Sequence, residues 1–516
     1  MNMNRFAVAA VLGAAFLPGK AWSDNPIVQT NYTADPAAMV WKDTFYVYTG
    51  HDEDVLVNNF FTMNEWRCYS STDMVNWTDR GAPLNYKAFS WSGGKAWAAQ
   101  VVERDGKFYW YVTAGFGSGL QPTIAVAVAD HPLGPYKDPI GKPLVKNSWD
   151  DIDPTAFVDS DGQAYLYWGN PKLYYVKLNK DMTSFTGGIQ TIPMTTASFA
   201  PRPGAAVATR PTSYEEAPWF YKRGSQYYMI YATGPLPEKI AYSTSTGPLG
   251  PWTYRGQIMS ADGTGSFTNH PAIVDYKGRS YFVYHTGKLP GGGGYSRSVA
   301  VESFVYNADG TIPTIRMGSG PAPVDSLDPY KRVEGETMAF SSGLKVGTHG
   351  QNEIHVTKIN NGDYIKLRSV DFGRDGAKSF SATVASAGAG GSIELRLGSQ
   401  TGTLVGTLAV TGTGGATSWK TYTTNVSGAK GVNDLFLVFK GASGDLFNLD
   451  WWQFTSAAVG VARGAVSAGP RQERVDVYSL SGTKVRGNMI REEATIGLQE
   501  GIYVVGGRRV TVLGAR

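Results

Sequence analysis

The sequence predicts an almost entirely β protein, and three observations carry that prediction. Short aromatic or β-branched runs recur along the chain between Gly, Pro, Asn and Asp, and long windows rich in Leu, Ala, Glu and Lys are absent. The 516 residues include 63 Gly, 29 Tyr and 14 Trp but only 17% charged residues, a composition that suits strands and turns. One pattern then repeats five times over the first 320 residues and stops. At this length two to four domains are expected.

The chain opens with "MNMNRFAVAAVLGAAFLPGKAWS": Arg5, an apolar stretch over residues 6–17, and small residues at Ala21 and Ser23. This reads as a secretory signal peptide, 1–23, cleaved after Ser23 and too short to anchor the chain in a bilayer. No later segment approaches transmembrane length, so an exported protein without a membrane span is expected. Cys68 is the single cysteine, which rules out an intrachain disulfide; it reads as a small buried apolar residue. The formal charge of +4 arises entirely in residues 459–516, with nine Lys/Arg against five Asp/Glu, and the remainder balances at 38 against 38. No nucleic-acid footprint follows from that distribution.

The repeats come next: "TADPAAMVWKDTFYVYTGHD", "WAAQVVERDGKFYWYVTAG", "DIDPTAFVDSDGQAYLYWGN", "YEEAPWFYKRGSQYYMIYATG" and "TNHPAIVDYKGRSYFVYHTG". Each runs from a polar or small residue through two or three apolar residues to a turn and an aromatic strand, the pattern of a tight antiparallel hairpin. Aligned on Asp35, Gln100, Asp153, Glu216 and His270, they are spaced by 65, 53, 63 and 54 residues, room for a four-stranded sheet each. Five such units predict a five-bladed β-propeller over 24–317. Since the first strand of each blade lines the axis, Asp35, Asp153 and Glu216 should converge at one end of the channel.

Converging carboxylates are the usual machinery for glycosidic bond cleavage: one activates water while another, kept protonated by burial and a neighbouring charge, protonates the leaving oxygen. Glu216 precedes Pro218, Trp219 and Phe220, an apolar setting that favours the neutral acid. Asp35 and Asp153 both precede proline, which biases them towards extended backbone. Glu215, alternating with Glu216, should point elsewhere, as support or into solvent.

The trio in "ADPAAMV", "DIDPTAF" and "EEAPWFYKRGSQYYMIYA" resembles glycoside hydrolase family 43. "NPIVQTNYTADP", "FFTMNEWRCYSSTDMVNWTDRG" and "SFTNHPAIVDYKGRSYFVYHTGKLPGGGGYSRSVAVE" are similar to its bacterial arabinoxylan arabinofuranohydrolases, a likeness running from Asn25 to Met317. The resemblance implies an inverting mechanism with Asp35 as general base, Glu216 as general acid and Asp153 as the group that raises the Glu216 pKa and orients it. Ala217 departs from the Glu-Gly-Pro form of the motif. His270 resembles the family's histidine near a central calcium ion; a core histidine bonded to a backbone carbonyl is the other reading. Asn269 is a candidate for bonding an arabinose hydroxyl. Trp97 and Trp168 read either as sugar platforms or as strand packing. The "LPGGGGYSR" loop lacks the Lys-Ser/Thr of a phosphate loop and reads as a flexible rim of the cleft.

Residues 318–330, "GSGPAPVDSLDPY", form the expected linker. Beyond them, short alternating strands rich in Gly, Ser and Thr predict a β-sandwich of jelly-roll type over 331–455. "RVEGETMAF", "INNGDYIKLRSVDFG" and "FNLDWWQF" resemble carbohydrate-binding module family 6, which implies a structural calcium held by Glu334, Glu336 and Asp450. That family stacks sugar between two aromatics, and here those places hold Lys358 and Ala416. Asn448 is retained as a candidate for a sugar hydroxyl, and Trp419 and Trp451 read as packing. Residues 464–516 resemble the C-terminal sorting domains of bacteria that export through the type IX route and predict a small β tail domain.

The expected protein is a secreted or surface-attached monomer that removes α-L-arabinofuranosyl side chains from arabinoxylan or a related hemicellulose. A β-xylosidase or endo-arabinanase on the same propeller is the nearest alternative; a non-catalytic polysaccharide-binding protein is the opposing class.

Overall fold

The computed structural model describes residues 24–204, 209–349, 353–456, 474–479, 484–490, 501–505 and 508–512. The expected signal peptide, and residues 464–473 of the expected tail, lie outside the described residues.

Five antiparallel sheets follow one another along residues 32–304. The first is built from Tyr32–Trp41, Thr44–Asp52, Met63–Ser71, Trp77–Asp79 and Leu84–Asn85. The second holds Ser92–Gly94, Ala99–Arg104, Lys107–Phe116 and Gln121–Ala129. Thr155–Val158, Ala164–Trp168, Tyr174–Leu178 and Gln190–Thr191 make the third. Tyr214–Arg223, Gln226–Thr233, Lys239–Ser245 and Thr253–Met259 make the fourth, and Ala272–Tyr276, Arg279–Thr286 and Ser298–Phe304 the fifth. Two-residue turns join the first two repeat strands in four of the sheets; Asp105-Gly106 and Lys277-Gly278 place both residues at positive φ, which matches the right-handed twist of the strands they join.

Alternation along these strands buries apolar side chains between neighbouring sheets. Trp66 and Trp110 fill the space between the first and second sheets. Leu166 and Val126 pack between the second and third, and Tyr167 and Phe220 stack between the third and fourth with ring centroids 4.5 Å apart. Phe45, Trp77, Ile230 and Tyr281 share one core that joins the fourth and fifth sheets to the first. These contacts close a ring, and the chain is a β-propeller. The N-terminal segment seals it: the Ile27 and Thr33 amides each donate to the fifth-sheet side, to the Val299 and Arg297 carbonyls, both at 2.8 Å.

The following module is a two-sheet β-sandwich. One sheet holds Lys345–His349, Glu353–Thr357, Asn448–Ser456, Ala377–Ala385 and Lys420–Asn425; the other holds Phe340–Ser342, Tyr364–Asp371, Val432–Lys440, Gly390–Leu397 and Thr403–Thr411. Ile365, Leu367, Phe380, Ile393, Leu437, Phe439 and Trp452 form its core.

Propeller and sandwich pack as one compact unit through residue 457. Thr337–Met338 adds a strand to the first propeller sheet beside Trp77–Asp79. The buried Asp24 carboxylate bridges Lys366 and Arg368, each at 2.7 Å. The segment 318–330 is fastened on both sides: Val324 N–H donates to the Asp73 carbonyl at 3.0 Å, and Leu327 N–H to the Ser369 carbonyl at 3.0 Å. In the tail, Arg474–Ser479, Lys484–Ile490, Gly501–Val505 and Arg508–Val512 form a four-stranded antiparallel sheet. Among the described residues no helix is long and apolar enough to cross a membrane.

Candidate active site

Two of the three propeller carboxylates stand on left-handed backbone, and the third directly precedes it. Asp35 has φ +50° at a break in strand register between Ala34 and Ala37, and Asp153 has φ +59° just before Thr155–Val158. Ala217, directly after Glu216, has φ +53° within a register shift between Glu216 and Trp219, and a further shift precedes Glu216. The expectation of extended backbone at the two Asp-Pro pairs is therefore corrected. Bulges turn Asp35 and Glu216 out of the strand alternation and a turn before the strand does so for Asp153, and Asp tolerates the left-handed region better than most residues. The freed amides are captured: Asp35 N–H by His285 Nδ1 at 3.3 Å, Asp153 N–H by Thr113 Oγ1 at 3.0 Å, and Ala217 N–H by Asp153 Oδ2 at 2.9 Å.

The three carboxylates meet around a cavity of about 210 Å³, lined also by Phe60, Phe61, Met63, Trp97, Ala98, Ile152, Thr268, His270 and Arg297. That is small beside pockets for drug-sized ligands, which run to about 300–1,000 Å³. Gln100, at the equivalent position of the second repeat, stays out of it, its Oε1 accepting from the Ala156 amide at 2.7 Å.

Arg297 organises one wall. Its Nε and Nη2 form a fork on the fully buried Asp52 at 2.8 and 2.9 Å, and its Nη1 reaches Asp35 Oδ1 at 2.8 Å. Burial raises the Asp35 pKa to about 6, with Arg297 opposing the rise. Burial likewise raises Glu216, to about 7, helped by Asp35 and Glu215 and opposed by a hydrogen bond from Asn170 Nδ2. Asp153 is pushed well above the usual carboxylate range by burial, then by Glu216 and Asp35. Burial and nearby like charge thus favour the protonated form at both Asp153 and Glu216.

Glu215 points away from Glu216, as its alternation requires, but not into solvent: it is buried and pairs with Arg202 at 2.6 Å and with Arg210. Arg210 in turn donates to Asn170 Oδ1 at 3.0 Å, which wires Glu215 to the Glu216 partner.

Two of the candidate substrate residues lie at or beside the cavity. Trp97 lines the cavity, and its Nε1 is buried without a partner, as is Thr268 Oγ1 beside it. Asn269 is 2% exposed, and its Nδ2 is a buried donor with no acceptor, which suits a sugar hydroxyl. Phe60, Phe61, Phe267 and Tyr295 form an aromatic rim, with Phe61 and Tyr295 at 4.7 Å and Phe267 and Tyr295 at 5.1 Å. The glycine-rich loop is thus a rim, but a packed one. A Cβ at Gly294 would lie 2.1 Å from the Phe267 ring, so only glycine lets Tyr295 close against it.

Other candidates are corrected. Trp168 is no sugar platform: it is fully buried between the second and third sheets, stacks on Tyr174 and donates Nε1–H to Asp151 Oδ1 at 2.9 Å. His270 lines the cavity with Nδ1 3.9 Å from Asp35 Oδ1, and burial with the nearby Arg297 lowers its pKa to about 3. The cation that lies against Asp35 is the Arg297 guanidinium. Among the described residues no three His, Cys, Asp or Glu side chains are grouped to hold a metal ion. In the sandwich, Asn448 spends its Nδ2 on the Ala416 carbonyl at 2.8 Å, and Lys358 pairs with Asp445 at 3.0 Å, so the usual sugar cleft holds neither aromatic. Glu334, Glu336 and Asp450 line one cleft with Arg332, which pairs with Glu334 at 2.9 Å and lies 3.8 Å from Asp450. Glu336 alone fits a cation directly: it is 6% exposed, and its Oε2 is buried with no partner.

Sequence reasoning missed Arg297, Asp52, His285, Thr113, Asn170 and Glu238. The last is a buried carboxyl held high by burial and by Glu216, accepting from the Asn269 amide at 2.8 Å. Only Arg297 had a visible cue, a cation ending a glycine-rich rim loop.

Residues 23–312 match the family described as glycosyl hydrolases family 43, and residues 334–456 match carbohydrate binding module (family 6). The Bacillus subtilis (strain 168) protein named "Arabinoxylan arabinofuranohydrolase" is 37% identical over 497 residues, which cover 84% of this chain and 92% of that protein. A solved Bacillus subtilis family 43 arabinoxylan arabinofuranohydrolase, in complex with cellotetraose, superposes with a TM-score of 0.73 at 36% identity, covering 84% of this chain and 98% of that one. A β-xylosidase/α-arabinofuranosidase from a compost metagenome, solved in complex with xylotriose as a calcium-free form, gives 0.50 at 31% identity, covering 56% of this chain and 96% of that one. With the match spanning the carboxylates, the rim and the sandwich behind them, this chain belongs to glycosyl hydrolases family 43 and carries a family 6 carbohydrate binding module.

Proposed function

We propose that the protein is an exo-acting α-L-arabinofuranosidase that removes arabinose side chains from arabinoxylan with inversion at the anomeric carbon. The observation that carries the proposal is the meeting of Asp35, Asp153 and Glu216 in a cavity of about 210 Å³ behind an aromatic rim. The relatives named arabinoxylan arabinofuranohydrolases support the substrate. Asp35, ionised against Arg297, takes a proton from water as that water's oxygen bonds to the anomeric carbon. Glu216 gives its proton to the departing xylan oxygen. Asp153 shares the buried site with Glu216, so that the two do not both ionise and a proton stays available for the acid, and its Oδ2 fixes the Ala217 amide behind Glu216. Trp97 Nε1, Thr268 Oγ1 and Asn269 Nδ2 are the buried groups offered to arabinose hydroxyls.

The five sheets are, in this reading, the five blades of the propeller, and the tail sheet belongs to a sorting domain of a secreted or surface-attached protein, with residues 1–23 as signal peptide. In the sandwich, calcium is the cation that the carboxylates at its two chain ends would suit. Glu336 would be its central ligand with Glu334 and Asp450 beside it, and a hard cation there would hold the first and last strands of the module together.

The test is product analysis on wheat arabinoxylan with Asp35→Asn and Glu216→Gln as controls. Arabinose release, cut about 10²–10⁴-fold by either variant, is expected. Xylose or oligo-arabinan as product refutes the specificity. Unchanged release in both variants refutes the mechanism, and wild-type binding without any release makes the protein a polysaccharide binder.

A further inference from the structure

The left-handed turns under Asp35 and Asp153 have a common support that repeats with the propeller. In four sheets a two-residue turn leads into the second repeat strand, so positions on that strand can be counted from the turn. Its seventh residue is Gly50 in the first sheet, Thr113 in the second, Ala232 in the fourth and His285 in the fifth. Thr113 precedes the Asp153 turn, and His285 precedes the Asp35 turn across the ring closure. These are the two whose side chains accept the aspartate amides, at 3.0 and 3.3 Å. Gly50 and Ala232 stand before Gln100 and His270 and have no side-chain acceptor to offer.

We propose that Thr113 and His285 are matched positioning residues, each holding one catalytic-site aspartate in the left-handed turn that aims its carboxylate into the cavity; this rests on the reading of Asp35 and Asp153 given above. Both side chains are fully buried. His285 Nε2–H donates to the Thr268 carbonyl at 2.9 Å, so its Nδ1 lone pair is left for the Asp35 amide, and the ring serves as a neutral bracket between the Asp35 turn and the Thr268 wall. Burial, then Arg297, keeps it neutral by pushing its pKa well below the usual range. Left-handed backbone at a residue other than glycine costs of order 1–3 kcal/mol and persists only where surroundings hold it. A buried amide left without an acceptor adds about 1–3 kcal/mol. Losing the bracket therefore favours relaxation of the turn, and a shift of about 1 Å in a reacting group costs about 10²-fold in rate.

The test uses four variants of the full chain. Thr113→Val keeps the shape and removes the acceptor. His285→Asn offers an oxygen near the Nδ1 position, His285→Gln a donor near Nε2 for Thr268 only, and His285→Ala neither. On an aryl α-L-arabinofuranoside, kcat is expected to fall about 10²-fold in Thr113→Val, His285→Gln and His285→Ala, with KM within threefold and His285→Asn recovering most of the loss. The pH profiles should differ in opposite limbs. Asp35 faces Arg297, Asp52, His270 and His285; loosened from Arg297 it stays protonated to higher pH, so the acid limb rises in His285→Gln. Asp153 faces Glu216, Asp35 and Arg297; displaced from Glu216 it ceases to hold that proton, so the basic limb falls in Thr113→Val. Crystal structures of the same variants supply a readout independent of activity. Residue 35 or 153 leaving positive φ supports the proposal, and both turns unmoved overturn it. Equal recovery by His285→Asn and His285→Gln, or both limbs moving together in every variant, also overturns it. A wild-type enzyme inactive on arabinofuranosides would count against the functional reading, leaving the structural arm to decide the positioning.

Discussion

Replacing Arg297 with Met puts the electrostatics of the cavity to a quantitative test. The guanidinium lies 2.8 Å from both Asp35 and Asp52, and at an effective dielectric constant of 20 each contact is worth roughly 6 kcal/mol gross. Desolvation of three buried groups offsets most of this, so the net stability of the cluster is small. Removing only the cation is different, because Asp52 is left fully buried with its charge uncompensated. Breaking a buried pair in this way costs about 3–5 kcal/mol. Unfolding entropy near the midpoint is about 0.9 kcal/mol/K for a unit of this size, so the melting temperature should fall by about 3–5 °C. Asp35 also loses the charge that opposes its burial, so its pKa rises and the acid limb of kcat/KM moves to higher pH. Arg297→Lys keeps a charge but not the fork and should fall between. Calorimetry and a pH series on an aryl arabinofuranoside measure both effects. Melting within 1 °C of the wild type together with an unmoved acid limb would refute the account.

Other outcomes follow from the same geometry. The wild-type pH profile should be bell-shaped with its maximum between about 6 and 7: activity falls below the Asp35 pKa as the base gains a proton, and above the Glu216 pKa as the acid loses one. A plateau extending to pH 9 would contradict the assignment of Glu216. Trp168→Phe removes one hydrogen bond to Asp151 and should destabilise by about 1–2 kcal/mol in urea with KM changed less than twofold; a large KM effect would restore Trp168 to the sugar site. If calcium occupies the sandwich, EDTA should lower the melting temperature of the wild type and leave Glu336→Gln unaffected, as followed by differential scanning fluorimetry.

The repeat was legible because it is local. Each hairpin lies within about twenty residues, and phase alone brought Asp35, Asp153 and Glu216 together. Their partners were not legible for the opposite reason. Asp35 is met by Arg297 from 262 residues away and by His285 from 250, and Asp52 by Arg297 from 245. No local pattern records such pairings. The rule for residues before proline failed at Asp35 and Asp153 because amide acceptors on the preceding sheet outweigh a local preference. Trp168 was ambiguous because the end of an aromatic strand reads alike whether its ring faces a neighbouring sheet or a ligand. Glu215 was assigned the right direction, but its arginine partners come from an irregular segment whose course the sequence does not reveal.

The strand Thr337–Met338 is laid along Trp77–Asp79, at the outer margin of the first propeller sheet. A truncated chain ending before residue 331 would lose that cover and present unpaired backbone groups next to the buried Trp77 and Thr78. Exposed margins of this kind recruit strands from other molecules, so the isolated propeller should be prone to self-association. On that expectation the sandwich would shield the sheet margin of the propeller, a duty separate from gripping sugar.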